Sequence, residues 1–141
     1  MQTSDIIGTF VVTPQCAKLS RDTETFGRMD PYVKVIVGTQ QKRGRVHIDG
    51  GKSPSWVESF QFFHANEELI RIEVWDSKGN DNDDLIGEGS IACSTVIKRD
   101  GYQDWMKITY HGKVAGHVLF HAIFTPTENS HDESQEQSKK L

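Results

Sequence analysis

Between residues 8 and 124 the chain is cut into short runs of β-branched and aromatic residues by clusters of Gly, Pro, Asn and Asp, and no stretch holds a sustained helical period. That punctuation is the strongest constraint on the fold. Strands are expected at residues 8–15, 32–37, 42–48, 56–63, 69–76, 85–93, 105–110 and 116–124, with one helical turn at 94–98. Strands at this spacing, without intervening helices, predict an all-β domain: an eight-stranded antiparallel Greek-key β-sandwich. The last run shows the alternation of a half-buried strand. Val118, Phe120, Ala122 and Phe124 share the expected core face, and His117, Leu119, His121 and Ile123 share the other.

A chain of 141 residues, 35% hydrophobic, suits one domain that needs no staple. Its two cysteines, Cys16 and Cys93, show neither C-x-x-C nor finger spacing, which points to a reduced, cytoplasmic setting. No window approaches the roughly eighteen apolar residues of a membrane span, and the first residues lack the pattern of a signal peptide. Any membrane contact is therefore expected to be peripheral. Residues 1–7 read as an extension, 8–126 as the domain, and 127–141 as a disordered polar tail with no apolar spacing to offset the entropy of ordering.

Carboxylates concentrate in two stretches between strands, where functional groups are commonly displayed. The first, residues 22–30, holds Asp22, Glu24 and Asp30 against Arg28; the second, residues 76–84, holds Asp76, Asp81, Asp83 and Asp84 against Lys78. If the two loops met at one end of the sandwich they would form an oxygen-rich cup suited to calcium, which takes carboxylate and carbonyl ligands from flexible loops. The other reading is that Asp and Asn simply start turns. An EF-hand reading of the second loop fails, because Lys78 stands at a ligating position and Gly87 where the closing Glu belongs.

Five motifs in order then resemble the C2 domain, the calcium- and lipid-binding family named for the second conserved region of protein kinase C. Asp30-Pro31-Tyr32-Val33-Lys34-Val35 is similar to the family's D-P-Y-V-K-V, and Ser53-Pro54-Ser55-Trp56-Val57-Glu58-Ser59-Phe60 to N-P-x-W-N-E-x-F. Residues 69–76 resemble L-x-I-x-V-x-D, Asp83-Asp84-Leu85-Ile86-Gly87 matches D-D-x-I-G, and residues 116–124 match the closing strand. The strand order resembles the family's second topology. The resemblance implies that the acidic loops meet and that Glu24, Asp30, Asp76 and Asp84 hold calcium, with Asp22, Asp81 and Asp83 as replacements.

Lys78 departs from the pattern, standing where the family has a bridging aspartate. An ammonium is not a ligand and opposes a nearby dication. Two outcomes stay open: another carboxylate restores a weakened site, towards which the excess of acid leans, or Lys78 is a built-in counter-ion and calcium is not needed. Outside the loops and the tail the domain is net positive, and Lys34, Lys42, Arg43, Arg45 and Lys52 fall on or beside the second and third expected strands. A basic cluster there resembles the family's site for anionic lipid headgroups; charge defending a strand edge is the structural alternative. Phe26, the one large aromatic of the first loop, either wedges into lipid or packs inward to close the loop, and inward packing is the expectation.

Other chemistry finds little support. His117 and His121, four residues apart on a strand, lie about 13 Å apart, too far for one metal ion. Trp56, Trp75 and Trp105 suit sandwich anchors. The charge lacks the basic footprint of a nucleic-acid binder, and no nucleophile elbow or phosphate loop occurs, so neither nucleic acid nor catalysis is expected. The expected function is peripheral docking on an anionic phospholipid membrane surface, under calcium control. A calcium-independent module binding a protein partner is the alternative.

Overall fold

The structure, a computed structural model, describes residues 6–79 and 81–127. All but the first residue of the tail expected at 127–141, and most of the amino-terminal extension, lie outside them. Eight strands occur in the order β1 (Gly8–Leu19), β2 (Pro31–Val37), β3 (Gln40–Arg43), β4 (Phe60–His64), β5 (Leu69–Asp76), β6 (Asp84–Ala92), β7 (Tyr102–Tyr110) and β8 (Lys113–Pro126), with helix α1 (Cys93–Ile97) between β6 and β7. All ladders are antiparallel and run β3-β2-β5-β6-β7-β8-β1-β4.

The ladder nearly breaks between β6 and β7, which share the single pair Glu88↔Thr109. There the sheet folds over itself into the two layers of a sandwich. Gly89 permits the fold, since a Cβ at that position would lie 2.4 Å from the Lys107 carbonyl oxygen. Phe10, Val12, Val35, Phe62, Ile70, Ile72, Val74, Ile108, Val118 and Ala122 are fully buried between the layers. Burial at this level contributes about 1.5–3 kcal/mol per large side chain, so the alternation read from the sequence is what drives closure.

Several boundaries differ from expectation, and those of the first and third strands do so for backbone reasons. The first strand runs on to Leu19 because a bulge between Pro14 and Cys16 absorbs a proline that has no N–H to give. The third strand stops at Arg43. Beyond it the Gly44 and His47 N–H groups still donate to the Val33 and Pro31 carbonyls of β2, but the Arg45 N–H turns away to Glu58. Trp56 lies ahead of β4 as a buried anchor, its indole N–H donating to the Pro31 carbonyl at 3.1 Å. The expected helical turn is present, one residue earlier.

Candidate functional site

The two acidic loops do meet. Residues 20–30 leave β1 and residues 77–83 link β5 to β6, both at the end of the sandwich where residues 44–59 also cross between layers. Local hydrogen bonds shape the first loop. The Asp22 Oδ1 accepts the Glu24 N–H at 2.9 Å, Gly27 takes a left-handed φ of 79°, and fully buried Met29 fills the loop from beneath.

Asp76, the last residue of β5, ties the loops together. It is fully buried, and its Oδ1 accepts the Asp30 N–H while its Oδ2 accepts the Thr23 hydroxyl, both at 2.8 Å. Burial alone would raise its pKa. The Glu24 side chain, the Asp30 N–H, the Thr23 hydroxyl and the Lys78 ammonium outweigh that and hold it below the ordinary carboxylate range.

Lys78 lies in the middle of the carboxylates. Its Nζ hydrogen-bonds to Glu24 and is 3.5 Å from Asp76 Oδ2 and 3.6 Å from Asp84 Oδ2. Its pKa is raised, first by the bond to Glu24 and then by the Asp76 charge. Three of the four carboxylates assigned by the resemblance therefore converge on an ammonium group. Asp30, the fourth, accepts the Asp49 N–H at its Oδ1, 2.7 Å away, and lines an open hollow with Glu24, Arg28, Val46, Ile48 and Lys78.

The replacement carboxylates do not close this ring. Asp22 caps its own loop, and Asp81 is exposed to solvent. Asp83 accepts the Tyr32 hydroxyl at 2.5 Å and the Lys78 N–H at 2.8 Å, which hold its carboxyl low, the N–H more strongly. Burial and the bond to Asp83 push the Tyr32 hydroxyl up to about 12. Among the described residues no group of three or more His, Cys, Asp or Glu side chains is disposed to hold a metal ion. Calcium requires six to eight oxygens around one point. Here that point is crowded by a cation without a lone pair, so the arrangement does not fit the ion.

The basic residues divide between locations. Lys34 on β2 pairs with Arg43 on β3 and with Glu73 on β5, its Nζ 4.6 Å above the Trp75 ring, while the Arg43 guanidinium lies 3.8 Å above Tyr32. Lys42 is exposed and alternates to the opposite side of β3. Arg45, 91% exposed, approaches Glu58 at 3.7 Å. Lys52 is not part of this group. Its carbonyl accepts the Leu19 N–H, which places it beside β1 in the other layer.

Phe26 points outward, 87% exposed, against the expectation of inward packing, because Met29 already fills the space beneath the loop. Ile48, 74% exposed on the hollow's rim, escaped the sequence reading. Its signal was a lone apolar residue between His47 and Asp49 in a polar loop.

The C2 domain family model matches residues 8–108. Elicitor-responsive protein 3 of Oryza sativa subsp. japonica is 27% identical over 125 residues, 86% of each chain. A solved C2 domain-containing protein from a putative elicitor-responsive gene superposes with a TM-score of 0.78 at 24% identity, covering 92% of this chain and 96% of that one. A calcium-bound tandem pair of C2 domains from Extended-Synaptotagmin 2 superposes at 0.71, with 24% identity over 83% of this chain and 45% of that one. Family model, sequence relative and fold agree: the chain belongs to the C2 domain family.

Proposed function

We propose that the chain is a peripheral membrane module that docks on anionic phospholipid without calcium, with Lys78 as the cation of its acidic loops. The observation that carries this reading is the contact of the Lys78 ammonium with Glu24, Asp76 and Asp84. It favours the counter-ion outcome over calcium control. An incoming ion would have to expel the ammonium and also win Asp76 from the Asp30 N–H and Thr23 hydroxyl, and Asp30 from the Asp49 N–H.

Family membership supports the lipid half of the reading, together with the exposed Phe26 and Ile48 on loops that border the hollow. Deep insertion is not required, since two apolar tips suit shallow contact with headgroups. Lys34, Lys42, Arg43 and Arg45 add electrostatic attraction, about 1 kcal/mol for each residue near an anionic surface, sensitive to salt. Docking of this kind places the chain at a cytoplasmic membrane face, in a binding role and not a catalytic one.

Sedimentation with phosphatidylserine–phosphatidylcholine vesicles tests the reading. The expected result is equal pelleting in chelator and in millimolar calcium, weakened at high salt. Pelleting only with calcium would restore the ion, and no pelleting on anionic vesicles under either condition would leave the protein-partner alternative standing instead.

A further inference from the structure

The outer face of the layer formed by β7, β8, β1 and β4 carries charge of one sign. Cross-strand register aligns Lys107 with His117 and His117 with Lys18, so that one row across three strands presents two ammonium groups and an imidazole, all exposed. Strand spacing makes the row about 10 Å wide. β1, β4 and β8 contain no Asp or Glu, and the single acid of β7, Asp104, alternates with Trp105 towards the opposite face.

Like charges directly opposite one another in a sheet are destabilising. The opposite layer offsets its like-charge neighbours with acid–base contacts: Lys34, across from Arg43, also stands across from Glu73, and Arg71 bonds both Glu73 and Glu88, which face each other. Among the described residues, ion pairs involve Arg45, His64, Arg71 and Lys78, and neither Lys18 nor Lys107 takes part in one. Lys18 instead lies 5.1 Å above the ring of Trp105, which is 38% exposed. The bulge between Pro14 and Cys16 creates this arrangement. It reverses the alternation of β1 so that Ala17 and Leu19 enter the core and Lys18 emerges on the outer face.

We infer that this row, Lys107, His117 and Lys18 beside Trp105, is a second contact face for anionic phospholipid, distinct from the basic residues of β2 and β3. The inference rests on the proposed function and adds a second surface to the basic residues named there. Two features fit a lipid surface. Among the described residues the row has no ion-pair partner, which leaves it complementary to phosphate, and beside it lies an exposed tryptophan, a side chain suited to the boundary between headgroup and hydrocarbon. The row also lies at the end of β1 that enters the Phe26 loop, so both can face one surface.

The test measures binding of the full chain to phosphatidylserine–phosphatidylcholine vesicles in chelator. The double variant Lys18→Ala/Lys107→Ala is expected to bind about 25-fold more weakly, from about five-fold for each cation near an anionic surface. The charge-matched variant Lys98→Ala/Arg99→Ala, altered at a distant turn, is expected to bind like wild type. Brominated lipid should quench tryptophan fluorescence in wild type, and the quenching should largely disappear in Trp105→Phe, a change that leaves the charges intact. Full vesicle affinity in Lys18→Ala/Lys107→Ala, or quenching undiminished in Trp105→Phe, would overturn the inference while leaving the proposed function in place. If the double variant lost binding to polyglutamate but kept its vesicle binding, the inference would likewise fall, and the face would be a protein-docking surface. Failure of wild type itself to bind vesicles would be a failure of the proposed function.

Discussion

Two charged regions adjoin along β1 and the loop that follows it, and they are built on opposite rules. In the acidic loops the buried charge is partnered inside the molecule: Lys78 meets Glu24, Asp76 and Asp84, and buried Asp76 also takes the Asp30 N–H and Thr23 hydroxyl. In the row formed by Lys107, His117 and Lys18 no acid stands opposite. Burial explains the difference. A carboxylate removed from water needs donors or a cation around it, whereas exposed ammonium groups are solvated and remain available to something outside.

The largest effect that separates the two regions should come from Asp76→Asn. The new amide would turn a donor towards the Thr23 hydroxyl or the Asp30 N–H and leave Lys78 with fewer partners, at a cost of about 2–3 kcal/mol in urea unfolding. Lys107→Ala should change stability by less than about 0.5 kcal/mol, as exposed substitutions do. Equal sensitivity at the two positions would erase the distinction.

Lys78→Asp should come next, because it supplies a carboxylate where the ammonium now lies. Calcium at about a hundred times its dissociation constant would then raise the melting temperature by about 5–10 °C. A variant that stays indifferent to calcium would show that Lys78 is not what excludes the ion.

Acid sharpens the comparison further. The folded-state pKa of Asp76 lies below its unfolded value, so its contribution is complete above the unfolded pKa of about 4 and is lost as pH falls through the depressed folded value. The stability gap between wild type and Asp76→Asn should therefore be constant at neutral pH and narrow below about pH 4. A gap that widens with acid would reverse the sign of the coupling. The smallest effect belongs to Arg45→Ala. Its exposed, 3.7 Å pair with Glu58 contributes about 0–1 kcal/mol, so melting should hardly move while vesicle affinity falls about five-fold.

Much of the fold was legible because side-chain alternation carries it: Val118, Phe120 and Ala122 are buried as a period of two requires. The motif residues likewise located the acidic loops. Sequence spacing could not show where a four-carbon stem would swing, and so left Lys78 undecided between repelling an ion and replacing it. Nor could it show that Met29 would take the inward position and leave Phe26 outside. The Lys107, His117 and Lys18 row was hidden for a different reason. It depends on the β1 bulge, and a shift of one residue sends every later side chain to the other face.

The question on which both regions turn is whether Lys78 has replaced the ion, and the most direct measurement is the wild-type melting curve in chelator and in millimolar calcium. A ligand that binds only the folded state must raise its stability. Coincident curves for wild type are the expected result. A calcium-dependent rise of several degrees in wild type would contradict it, showing that the acidic loops expel the ammonium to take the metal.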